Sequence, residues 1–163
     1  MHIIFVAPAG LFREGVARLL AELAPRTEVT CVDYRTGAFD SGSSADLLVL
    51  DGEHKSEALE ALDALRCNIP LLPALALLNE IGQKTIDTFI AAGVTGCVSK
   101  SESAGALLGA LRIVLAGATY LPPALLAFAN KIVSPTAAQA ASRATTASAA
   151  NWPDFRASNT PEE

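Results

Sequence analysis

No run of lysine or arginine occurs in the 163 residues, and the formal charge is −5. Nucleic-acid binding by this chain itself is therefore not expected, because phosphate contacts need clustered cations. Cysteine is sparse. Cys31, Cys67 and Cys97 are odd in number and make no CxxC pair, which points to a reducing compartment and no disulfide framework. Histidine is sparser: His2 and His54 share no ligand spacing with each other or with cysteine, so a zinc site is not expected. Neither GxGxxG nor GxxxxGK followed by Ser or Thr occurs, which leaves a nucleotide cradle unsupported. The longest nearly apolar run, Ile69 to Leu78, falls short of the about 20 residues that cross a bilayer. The opening MHIIFVAPAG lacks the basic and long apolar regions of a signal peptide. A soluble, cytoplasmic protein away from membranes is the expectation.

What the chain does have is alternation. HIIFV is a short apolar run that reads as a buried strand, and Leu11, Phe12, Val16, Leu19, Leu20 and Leu23 follow at helical spacing. EVTCVD reads as a second strand, and ADLLVLD, nearly continuous in Leu and Val, as a central parallel one. SEALEALDALR is helical, with Leu59, Leu62 and Leu65 on one face. LPALALL is a fourth strand, 82–92 a helix through Ile86, Phe89 and Ile90, and TGCVSK a short fifth strand. Leu107, Leu108, Leu111, Val114 and Leu115 form a stripe on a further helix, and Pro122 and Pro123 open one more, LLAFANKIV, since proline suits a first helical turn. Strands alternating with helices give right-handed βαβ units and a parallel sheet covered on both faces. Between the second and third strands lies only YRTGAFDSGSS, too short and too rich in Gly and Ser for a full helix. From Ser134 on, the chain is rich in Ala, Ser and Thr without an apolar stripe, and reads as a disordered linker or tail.

In a doubly wound sheet the site lies outside the carboxyl ends of the strands. Strand one offers Ala7 and Pro8 there, strand three Asp51 followed by Gly52, Glu53 and His54, strand four Leu78 and Asn79, and strand five Lys100. Asp51 and Lys100 converge on one edge. By themselves they read as a structural ion pair at the rim of the sheet. Nothing beyond them supports an enzyme.

Taken together, LFREGVARLLAEL after strand one, DLLVLD ending in Asp51, AAGVTGCVSK ending in Lys100, and ALRIVLAGATYLPPALL are a familiar set. The chain from residue 1 to about 133 resembles the receiver domain of two-component response regulators of the NarL/LuxR type. The resemblance implies a CheY-like, flavodoxin-like α/β fold with a five-stranded parallel sheet and an extra C-terminal helix. The implied division is a receiver-like domain over 1–120, the added helix over 121–133 and a flexible tail over 134–163. In that family the strand-three aspartate is phosphorylated by a histidine kinase. Two strand-one acids hold Mg²⁺ beside it, a strand-four Ser or Thr and the strand-five Lys bind the phosphoryl group, and an aromatic three residues before that Lys reports the change.

Carried over residue by residue, Asp51 matches the phosphoacceptor and Lys100 the lysine. The acids fall on Ala7 and Pro8, the Ser/Thr position on Leu78 and the switch aromatic on Cys97. The loop after Asp51 lacks the family's Met-Pro. Mg²⁺ wants several oxygen ligands, so weak or absent Mg²⁺ binding and no other cofactor are expected. The resemblance then implies an atypical receiver acting by homodimerisation or by docking a protein partner. A conventional phospho-receiver served by a histidine kinase, and a small-ligand sensor whose pocket is lined by Ala7, Leu78 and Cys97, are the alternatives. The closing FRASNTPEE is similar to the threshold of a helix-turn-helix domain, so any DNA contact is expected through a missing C-terminal domain.

Overall fold

The described residues are 1–34 and 44–123 of a computed structural model. The five apolar runs become β1 (His2–Val6), β2 (Glu28–Val32), β3 (Leu47–Asp51), β4 (Ala74–Leu78) and β5 (Gly96–Ser99). They pair in parallel in the order β2-β1-β3-β4-β5, so the winding reverses between β1 and β3. Between and after them lie α1 (Leu11–Ala21), α2 (Lys55–Asn68), α3 (Gln83–Ala91) and α4 (Ala104–Leu115). All described residues fall within one compact unit, Met1–Leu126. Most of YRTGAFDSGSS, the expected helix LLAFANKIV and the tail lie outside the described residues.

Successive side chains of a strand point to opposite faces, and the core divides accordingly. Ile4, Val6, Leu48, Leu50, Ala74, Ala76, Leu78 and Cys97 face α2 and α3. Ile3, Phe5, Ala7, Leu47, Val49, Leu75, Leu77 and Val98 face α1 and α4. Strands β3 and β4 are buried on both faces, which is why their sequences carry no alternation.

The helix stripes hold with shifts of position. On α2 the buried residues are Ala58, Ala61, Leu62 and Leu65, while Leu59 only flanks the core. On α4 they are Leu107, Ala110, Leu111 and Val114. Its first turn is capped by Ser103, whose hydroxyl oxygen accepts from the Ala106 N–H at 3.2 Å. On α1 only Leu20 is fully buried, and Leu11, the first apolar residue of the expected stripe, is 87% exposed.

Past α4 the chain turns at Gly117, whose φ of 83° suits glycine. It then returns to the free edge of β5. The Tyr120 N–H donates to the Thr95 carbonyl and the Cys97 N–H to the Tyr120 carbonyl, each at 3.1 Å. This one-residue parallel bridge opposite Gly96 gives the AGATYLPP segment a physical role as an edge strap.

Leu50 is fully buried at the centre of the α2/α3 layer. Leu50→Ala is expected to destabilise the protein by about 2–5 kcal/mol, read from urea denaturation.

Candidate functional site

Strands β3 and β5 are separated by β4, so their ends lie roughly 10 Å apart at the spacing of neighbouring strands. A long side chain is needed to bridge them, and Lys100 does so. Its backbone N–H donates to the Leu78 carbonyl at 2.8 Å, which extends the β4–β5 ladder by one residue. Its Nζ lies 2.7 Å from Asp51 Oδ1. Asp51 is 1% exposed and the only buried acidic residue among those described. The same ammonium reaches the half-exposed Glu53 at Oε2, 3.0 Å away. Hydrogen bonding to Lys100, and then its charge, hold Glu53 below the usual carboxylate range. On a further side, Nζ stands 4.4 Å from the centre of the Phe12 ring at the start of α1, within cation–π range.

The loop after β3 is fixed by the same group of contacts. The Glu53 N–H donates to Asp51 Oδ1 at 3.0 Å and the Gly52 N–H to the Leu77 carbonyl at 2.8 Å. The Tyr34 hydroxyl donates to the Asp51 carbonyl. Burial, followed by the Asp51 charge, pushes the Tyr34 phenol well above its ordinary value, so it stays a donor. Glycine is required at 52 by packing: a Cβ there would stand 2.5 Å from Leu78 Cδ2 and 3.1 Å from both the Leu77 carbonyl oxygen and Phe89 Cζ.

Ala7 and Pro8 stand at the end of β1, as the sequence places them, and bring no carboxylate. The Ala7 carbonyl instead accepts from Arg13 Nη1 at 3.3 Å, which brings a permanent cation to that end of the sheet. Mg²⁺ is held by oxygen ligands, commonly one or two carboxylates besides a phosphate. Here Asp51 is engaged by Lys100, and Glu53 points its carboxylate at the same lysine. Among the described residues no group of three or more His, Cys, Asp and Glu is placed to hold a metal ion. The donor set does not fit the ion.

Leu78 and Cys97 pack in the α2/α3 layer, whereas Ala7 packs in the α1/α4 layer. All three are filled into the core at 0–1% exposure, so they do not share a pocket in the way a sensor lined by them would need. Burial raises the Cys97 thiol to about 12, which makes it inert rather than reactive. Three contributors escaped sequence reasoning. Tyr34 sits in a segment read as loop, Arg13 on a helix read only for its apolar stripe, and Phe12 within that stripe. Each position was visible, but a role that depends on reaching across to a neighbouring strand end leaves no local pattern.

The sheet order and the two helical layers are those of a CheY-like receiver domain. Among solved structures, the chain matches a LuxR family DNA-binding response regulator from Silicibacter pomeroyi at TM-score 0.64 and 22% identity, over 76% of this chain and 98% of that one. It matches a LuxR family two-component response regulator from Aurantimonas sp. SI85-9A1 at 0.66 and 24%, over 82% and 98%. The isolated receiver domain of RcsB from Salmonella enterica serovar Typhimurium matches at 0.64 and 15%, over 80% and 98%. No protein-family sequence model and no curated protein matches the chain. At these identities the likeness establishes the receiver fold. Among the described residues no helix is long and apolar enough to cross a membrane.

Removing Lys100 strands a buried carboxylate, whereas removing the Asp51 charge leaves Lys100 its Glu53 partner. Lys100→Met is therefore expected to cost about 3–5 kcal/mol at neutral pH, and Asp51→Asn distinctly less, in parallel urea titrations. Cys31 and Cys67 are exposed and Cys97 is buried. At pH 8, well below the Cys97 value of about 12, a thiol reagent is expected to label two cysteines in the native protein and the third only after unfolding.

Proposed function

We propose that this chain is a signalling receiver domain of the NarL/LuxR response-regulator type that works without Mg²⁺-dependent phosphorylation of Asp51. The observation that carries the reading is the Lys100 ammonium 2.7 Å from Asp51 Oδ1, at a strand-end cluster where Ala7 and Pro8 stand in place of acids. A receiver aspartate reacts with a phosphoryl donor through in-line attack, and the metal neutralises the charge that develops. Asp51 has Lys100 as its counter-charge. A phosphoryl group on it would add up to about two negative charges beside Glu53, and Leu78 has no hydroxyl to donate.

The role is then that of an interaction module rather than a catalyst. Partners meet its helices, either a second copy or another protein. The apolar side chains that α1 and α4 leave exposed, Leu11 at 87% and Ile113 at 40%, support such contacts. DNA is reached, on this reading, through a helix-turn-helix domain following the receiver, in keeping with the net charge of −5 and the lack of a basic cluster.

Titration with beryllofluoride and Mg²⁺, read by two-dimensional NMR, tests the reading. The amides of Gly52, Glu53 and Lys100 are expected to stay in place, and acetyl phosphate is expected to leave the mass unchanged. A stoichiometric Asp51 adduct with shifts in these amides would return the domain to the conventional phospho-receivers.

A further inference from the structure

An opening lies on the far side of Lys100, between the N-terminal halves of α1 and α4. Its volume is about 140 Å³. Leu77 and Val98 floor it, Phe12 and Val16 wall it from α1, and Leu107 walls it from α4. The gap has a sequence cause. Of α4, only Ala104 and Leu107 line the opening, so its first turn brings no more than a methyl group to it. The facing half of α1 is correspondingly loose, with Phe12 39% exposed and Leu20 the first residue of the helix to be fully buried. Close-packed interiors leave few voids larger than a water molecule. An apolar opening of this size is instead close to the roughly 150 Å³ cavity that holds benzene in another protein.

The rim narrows the chemistry. Ser103 uses its hydroxyl oxygen as acceptor for the Ala106 N–H, and the O–H of this rim residue remains a donor. Lys100 spends its charge on two carboxylates, Asp51 and Glu53, and Glu102 adds a further negative charge at the rim. An anionic ligand would meet this surplus of negative charge, and a cationic one would meet the Lys100 ammonium. An uncharged molecule avoids both.

From this we infer that the α1–α4 cleft is a binding site for a small neutral ring compound, one or two fused rings with a single hydrogen-bond acceptor or hydroxyl. Phe12 serves as wall and gate. The same ring that lines the cleft rests on Lys100 at 4.4 Å, so an occupant that moves it alters the surroundings of the Asp51–Lys100 pair and the exposed face of α1. This goes beyond the reading above and stands separately from it: beryllofluoride reports on Asp51, whereas a ring titration reports on the cleft.

The test is methyl and aromatic NMR on the full chain with phenol and indole as neutral probes, and benzoate and benzylamine as charged ones. Phenol and indole are expected to give saturable shifts at Val16, Leu77, Val98 and Leu107 and at the Phe12 ring, with the charged probes weaker. Ala104→Leu, at an exposed first position of α4 where folding tolerates it, fills the mouth and is expected to weaken phenol binding by at least about tenfold, equivalent to about 1.4 kcal/mol. Val16→Phe fills the cleft from the opposite helix and is expected to do the same, with thermal melts verifying that both variants fold. Absence of saturable shifts with either neutral probe, unchanged binding in both variants, or tighter binding of benzoate or benzylamine would overturn the assignment.

Discussion

A carboxylate taken out of water must find an opposite charge and hydrogen bonds, or it cannot stay ionised. Much of the carboxyl end of this sheet is arranged around that constraint at Asp51. Lys100 can meet it only because β5 runs parallel to β3 with one strand between, and because the β4–β5 ladder continues to the Lys100 backbone. Tyr34, Gly52 and Glu53 then close round the same point through backbone contacts. Arg13 serves the end of β1 in a similar way, through the Ala7 carbonyl. The polar groups at this end are thus occupied with one another, and Ala7 and Pro8 at the end of β1 bring no carboxylate to it.

The two core layers account for the apolar residues at these strand ends. Ala7 belongs to the layer beneath α1 and α4 and is fully buried there. Leu78 belongs to the layer beneath α2 and α3, with a methyl directed at Gly52. Each side chain is given to apolar packing in its own layer and makes no polar contact at the sheet rim. Cys97 follows the same pattern as a small, inert filler among leucines and alanines.

Much of the fold was legible in the sequence because its signals are local. The apolar runs at Leu47–Asp51 and Ala74–Leu78 can only be doubly buried strands, and the helices between them declare themselves by spacing. The ends of the strands named Asp51 and Lys100 for the same reason. What stayed hidden was relational. Leu11 and Phe12 carry the spacing of core residues, yet one is exposed to solvent and the other lies against an ammonium. Ala104 is a good helix former at the start of α4, and nothing in its identity reveals that a cleft opens beside it. A sensor pocket read from Ala7, Leu78 and Cys97 took proximity along strand ends for a shared face, and the alternation of strand side chains separates them.

The strap at Tyr120 has a consequence for how this protein can meet others. An exposed sheet edge invites pairing with a foreign strand, and proteins commonly cover or blunt such edges. Here the chain lays its own residue along β5, and Pro122, buried two residues on, has no N–H with which to continue a ladder. Strand addition at that edge is blocked where the strap lies. Tyr120 is itself held at Thr95 and Cys97, so the strap grips the start of the strand whose end leads into Lys100.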